Sequence, residues 1–180
     1  MARCGRFPSW SGLAFAMFAL GPLGSAQGRA QALPERWTGE VSYVVDGDSL
    51  WIRPDGARSR KPQRVRLEGV DAPEICQDHG RDAQSFLSQR VLHQRVQVLA
   101  RARDGYGRLI AQVSHQGEDL SQLMAQAGWA WSPGFGHRPG PHADAVAQAQ
   151  AARVGLFVDL QPMLPADFRH VNGPCRSPKL

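Results

Sequence analysis

Gln63-Arg64-Val65-Arg66-Leu67 runs directly into Glu68-Gly69-Val70-Asp71-Ala72-Pro73-Glu74. Val65 and Leu67 alternate with polar neighbours, the period-two pattern of a strand with one buried face. Asp71 follows an apolar valine at the strand's end, and Pro73 forces an extended turn after it. Arg66 therefore stands five residues before Asp71, and Glu74 three after it. Upstream, Val41, Tyr43 and Val45 alternate within residues 37–45 and predict a first strand. Asp46-Gly47 reads as a hairpin turn, because Gly tolerates positive φ. Leu50-Trp51-Ile52 follows as a second strand, and residues 54–62 make a polar, basic connection to the third.

Downstream the period changes. Ala83, Phe86, Leu87 and Val91 fall at helical spacing, which predicts an amphipathic helix over 80–94. Val96-Gln97-Val98-Leu99 is a fourth strand, Asp104-Gly105-Tyr106-Gly107 a turn, and 109–113 a fifth strand. A short helix over 120–127 ends at Gly128, and a last helix spans about 142–154 and stops at Gly155. Between them lies an aromatic, glycine-rich loop, 129–136. The ending, with Pro162, Pro165, Pro174 and Pro178, reads as irregular. Five short strands with a helix after the third and helices at the end fit a small closed barrel of the oligonucleotide/oligosaccharide-binding (OB) type. A small α+β sheet gives the same string.

The composition, 42% hydrophobic and 21% charged over 180 residues, fits one globular domain. The first residues are set aside. Arg3 and Arg6 precede an apolar run, 13–20, followed by Gly24-Ser25-Ala26 and Ala30-Gln31-Ala32. That is a secretory signal pattern, with cleavage expected after residue 26 or as late as 32, and the run is too short to span a bilayer. An uncleaved anchor is the alternative; after cleavage no stable membrane association is expected. The formal charge of +5 falls to +3 when Arg3 and Arg6 leave. Net charge therefore does not argue for a nucleic-acid partner, and the case rests on placed residues. Cys4 leaves with the leader. Cys76 and Cys175 remain and are expected to pair in an oxidising compartment, periplasmic or extracellular; two unpaired thiols are the alternative.

Three segments carry the chemistry: Asp46-Gly47-Asp48-Ser49, then Arg66 through Glu74, then Asp104-Gly105-Tyr106-Gly107-Arg108. They supply hard carboxylate oxygens for a divalent cation, arginines for phosphate oxygens, and a further carboxylate to activate water. Guanidinium groups suit phosphate because their planar donors pair with its oxygens. In isolation each residue has a plainer reading. Asp48 can close a hairpin, although Asp46 takes that part. Asp71 can serve a turn, Glu74 can be a solvated loop glutamate, Arg66 can pair with Glu68, and Arg108 can be a surface charge. Tyr106, between two glycines, reads as turn packing.

Order and spacing together resemble the staphylococcal nuclease (thermonuclease) family, from about Val41 to Arg169, including the closing Gly155-Leu156-Phe157 and Phe168-Arg169. The resemblance implies an α+β, mainly β fold: a five-stranded OB barrel capped by three helices. It would span residues 37–170, with an irregular tail over 171–180. It implies a Ca²⁺-dependent nuclease acting on DNA and RNA with little sequence preference and leaving 3′-phosphates. Single-stranded or frayed substrate is expected to react fastest. Asp48, Asp71 and the backbone carbonyl of Ala72 match the metal ligands. Glu74 matches the general base, and Arg66 and Arg108 the phosphate clamps. Where the family often carries threonine this chain has Ala72, which keeps the carbonyl and loses a supporting hydroxyl.

Other residues weigh less. Arg58, Arg60 and Lys61 form a basic loop, and Trp129, Trp131 and Phe135 are aromatics that either stack on bases or pack in the core. His137 and His142 suggest zinc only with a third ligand, which their loop lacks at helical spacing. Two rivals remain: an OB module that binds strands without cutting, and a hydrolase that uses the histidines.

Overall fold

Alternating apolar residues build the strands of the computed structural model, which describes residues 35–56, 61–173 and 175. The expected leader and its Cys4, together with Arg58 and Arg60, lie outside the described residues. β1 (Glu35–Val44) is long enough to pair antiparallel with both β2 (Ser49–Pro54) and β4 (Arg95–Arg103). β2 pairs with β3 (Gln63–Leu67), and β4 with β5 (Leu109–His115). A parallel pairing of β3 with β5 closes the ring, opposing Val65 to Leu109, Arg66 to Ile110 and Leu67 to Ala111. The result is the expected five-stranded barrel, with a two-residue β6 (Glu118–Asp119) added at its edge. Register shifts mark a bulge near Ser42 in β1 and another near Arg101 in β4, which let the sheet curl shut.

The inward residues fill the barrel: Val41, Leu50, Ile52, Val65, Val96, Val98 and Val113 are all but inaccessible. α1 (Gly80–Val91) plugs one end with Ala83, Leu87 and Val91, the stripe that helical spacing predicts. Phe86, on the same helix, is only half-buried and packs beside Trp129. α2 (Leu120–Gln126) starts on Asp119, whose carboxylate accepts from the backbone N–H groups of Ser121 and Gln122. It ends before Gly128, which has φ +73°. α3 (Ala143–Ala152) follows the aromatic loop, and a 3-10 turn covers Gly155–Val158.

The irregular ending expected from its prolines is in part a helix. α4 runs Pro165–Asn172, with Pro165 in its first turn, where a missing N–H costs nothing and a fixed φ assists. No helix among the described residues is long and apolar enough to cross a membrane.

Gly47 is needed for a reason other than the one its turn suggests. Its φ is not positive. A Cβ there would come within 2.7 Å of the Ala72 Cβ and 2.9 Å of the Ala83 Cβ. The glycine lets the β1–β2 turn lie flat against α1 and the 70–74 loop. Gln84 of α1 fastens the same turn by donating to the carbonyls of Val44 and Val45.

Candidate active site

Three segments distant in sequence meet at one mouth of the barrel. Asp48 leaves the β1–β2 turn, Arg66 projects from β3, and Asp71 to Glu74 form the loop after β3. The Arg66 guanidinium spans the two aspartates, donating from Nη1 to Asp48 Oδ1 at 3.1 Å and from Nη2 to Asp71 Oδ1 at 2.7 Å. Asp48 Oδ2 accepts from the Ala72 backbone N–H at 3.0 Å, and Oδ1 also accepts from the Ser49 hydroxyl. Asp48 and Asp71 are only 3% and 8% exposed. Buried carboxylates at such cost need these donors. Burial works to lower the Arg66 guanidinium, yet the charges and hydrogen bonds of Asp48 and Asp71 hold it above its ordinary value. Glu68, the alternative partner considered for Arg66, instead faces Arg101 at 3.6 Å.

Asp71 is pinned by its backbone, which exchanges both hydrogen bonds with Trp131. Glu74 lies at a tight corner: its carbonyl accepts from the Gln77 N–H, and a Cβ on Gly80 would strike that carbonyl oxygen. Ala72 is buried, its methyl set against Gly47.

Arg108 lines the same cleft, which has a volume of about 520 Å³ and also takes in Arg66, Glu74 and Arg64. Its Nε donates to Asp104 Oδ2 at 2.6 Å, and its backbone N–H donates to Asp104 Oδ1. Burial alone would raise the Asp104 carboxyl, but the donors of Arg108 and Tyr106 hold it below its usual value. Asp104 thus sets the turn and steadies the arginine that follows it. Tyr106 departs from its expected packing role: it is 88% exposed and stands at the cleft with the Arg108 guanidinium 5.8 Å from its ring centre.

Three cleft residues escape the sequence reading. Arg169 of α4 donates to Glu74 Oε1 at 2.9 Å and to both Asp71 oxygens at 3.1 and 3.3 Å. Its guanidinium lies above its ordinary value because these carboxylates outweigh its own desolvation. Asp46 is more than a turn former. Its Oδ1 accepts from the Asp48 N–H, and burial, followed by the charges of Asp48 and Glu74, pushes its carboxyl well above the usual carboxylate range. Arg64 presents a buried Nε with no partner among the described residues. Its place on β3, two before Arg66, was the one available signal.

The other aromatics and histidines stand apart. Trp129 and Trp131 pack against the core and Phe135 is 90% exposed, on a tight turn closed with Arg138. His142 bonds Gln122 through Nδ1, and His137 is exposed. Among the described residues no three His, Cys, Asp or Glu side chains gather as a group able to hold a metal. The Cys76–Cys175 disulfide is present, with Cα atoms 5.9 Å apart, and borders the cleft.

The family model described as Staphylococcal nuclease homologue matches residues 64–159. The chain belongs to the staphylococcal nuclease homologue family. An "Uncharacterized endonuclease" of Haemophilus influenzae is 33% identical over 136 residues, 75% of this chain and 74% of its own. One of the same description from Escherichia coli is 34% identical over 133 residues, 73% of this chain and 84% of its own. A "Micrococcal nuclease" of Shigella flexneri is 30% identical, covering 74% of this chain and 81% of its own. Membership makes the protein a hydrolase of the nuclease class. The matched stretch contains Arg66, Asp71, Glu74 and Arg108 and stops short of Arg169.

Proposed function

We propose that this nuclease is Ca²⁺-dependent, hydrolyses phosphodiester bonds of DNA and RNA with little sequence preference, and leaves 3′-phosphates. The observation that carries the reading is the Arg66 bridge between Asp48 and Asp71, which joins two distant motifs in one cleft. Asp48, Asp71 and the Ala72 carbonyl are hard oxygens of the kind Ca²⁺ prefers. The charge of the site agrees: among the described residues the three carboxylates of Asp48, Asp71 and Glu74 are contacted by two guanidinium groups, Arg66 and Arg169. The Asp46 carboxyl is raised first by its burial and then by the charges of Asp48 and Glu74. A bound cation would neutralise a phosphate oxygen and make phosphorus more open to attack.

Glu74 takes a proton from the attacking water as the water oxygen bonds to phosphorus, the bond to the 5′-oxygen breaks, and the departing 5′-oxygen takes a proton from solvent to leave as a hydroxyl. Arg66 and Arg108 hold the phosphate oxygens and stabilise the charge that builds on them. Contacts to phosphate carry no base information, which favours broad specificity. An open barrel mouth suits a single or frayed strand. The expected leader, cleaved after residue 26 or as late as 32, and the disulfide together favour a periplasmic or secreted enzyme.

The test is cleavage of single-stranded DNA by the purified protein, with Ca²⁺ or with chelator, beside Glu74→Gln. Cleavage that requires Ca²⁺ and drops at least about 100-fold in the variant supports the assignment. Equal cleavage by the variant removes Glu74 as the base, and binding without cutting favours a strand-binding module.

A further inference from the structure

α4 and the loop that bears Glu74 are fastened together at several points, and the fastening is aimed. Cys76, two residues after Glu74, is bonded to Cys175, just beyond α4. The Gln77 side chain, nearly buried, bridges the two segments: its Oε1 accepts from the Glu74 N–H and its Nε2 donates to the Met163 carbonyl at 2.7 Å. His79 Nε2 lies 2.7 Å from Asp159 Oδ2. These attachments tie the stretch from Asp159 to Cys175, which contains α4, to the stretch from Glu74 to His79. Separately from these ties, the Arg169 guanidinium reaches Glu74 and Asp71.

Among the described residues, Arg169 is the one hydrogen-bond partner of the Glu74 carboxylate. It engages Oε1 and leaves Oε2 open. A carboxylate that must meet a water at one hydrogen bond's distance needs such a restraint, since a free glutamate side chain samples many rotamers. The same guanidinium pairs with both Asp71 oxygens, sharing Oδ1 with Arg66, so it competes with any cation for that carboxylate.

We propose that Arg169 is a positioning residue of this nuclease: it aims Glu74 through Oε1, shares Asp71 with the cation, and is held in reach by the Cys76–Cys175 disulfide. The proposal rests on the reading of Glu74 as the base. Removing the guanidinium then has two opposite effects. The carboxylates become more available to Ca²⁺, and turnover slows because Glu74 is no longer aimed. A purely structural role gives the other pattern, weakening both together.

The experiment compares the parent with Arg169→Ala, Arg169→Lys and the Cys76→Ser/Cys175→Ser double variant. Calorimetry gives Ca²⁺ affinity without substrate, and cleavage of single-stranded DNA gives kcat and KM. For Arg169→Ala the expected result is Ca²⁺ binding at least about fivefold tighter. Its kcat falls by about tenfold or more, and KM stays near the parent's because Arg66 and Arg108 still hold phosphate. Arg169→Lys recovers part of kcat, and the cysteine variant moves in the same direction as Arg169→Ala. Unchanged affinity and unchanged kcat in Arg169→Ala overturn the proposal, as does weaker Ca²⁺ binding together with lower kcat. If Arg169→Ala does not fold, the Lys and cysteine variants decide by the same signature. A Glu74→Gln enzyme as fast as the parent removes the base assignment, and the inference with it. An inactive Glu74→Gln beside a normal Arg169→Ala removes the inference alone.

Discussion

Asp104 and Arg108 behave as one unit. The carboxylate fixes the turn through two backbone N–H groups and holds the arginine through Nε. Asp104→Ala and Arg108→Ala are each expected to lower kcat/KM on single-stranded DNA about tenfold, and the double variant should lose little more. Additive losses would show that Asp104 does not act through Arg108. Asp46 yields a prediction in pH. Its carboxyl is raised in the folded chain, so the unfolded chain is the more readily ionised. Stability from this group is therefore full below its unfolded value of about 3.9 and is lost as pH rises through the folded value. In the absence of metal, Asp46→Asn should melt above the parent at neutral pH and level with it near pH 4, as read by thermal midpoints. A gap independent of pH would rule out this origin. Asp48, Arg66, Asp71, Glu74 and Arg108 were singled out by their order and spacing together, through a family resemblance, since each alone has a plainer reading. Arg169 was not, since its partners lie 95 and 98 residues away and no local pattern marks them.

Among the elements, β1 to β5 and the first three helices follow from alternation and helical spacing, because each buries one face in a common core, whereas the two-residue β6 is too short to show a period. α4 escaped for a physical reason: Pro165 reads as a breaker until its position as a helix start is known. The tail's second tie, Gln77 to Met163, is equally invisible in one dimension. α1 offers a sharp test of how an element sets the site. Its first residue, Gly80, passes so close to the Glu74 carbonyl that any Cβ collides with backbone. Gly80→Ala should cost about 1–3 kcal/mol in denaturant unfolding, as overpacking does. It should also reduce kcat more than KM, since the displaced loop carries Glu74. An intact kcat with normal stability would mean that the loop yields freely.

At the level of the whole molecule, stability comes from the barrel interior and from one long covalent tie. Leu87→Ala, at the plug between α1 and the barrel, is expected to cost about 2–5 kcal/mol. Breaking the disulfide, whose cysteines stand 99 residues apart, releases loop entropy on the order of 4 kcal/mol. Denaturant titration of the oxidised protein against the double serine variant checks the second figure, and a difference near zero would contradict it. The parallel pairing of β3 with β5 has a wider consequence. Arg66 sits in that pairing and Arg108 directly precedes it, so the two candidate phosphate clamps converge only when β3 and β5 meet. A chain with an unzipped barrel keeps them apart and is chemically silent. Competence to cut thus depends on barrel closure, and a nuclease built this way is harmless for as long as its barrel stays open.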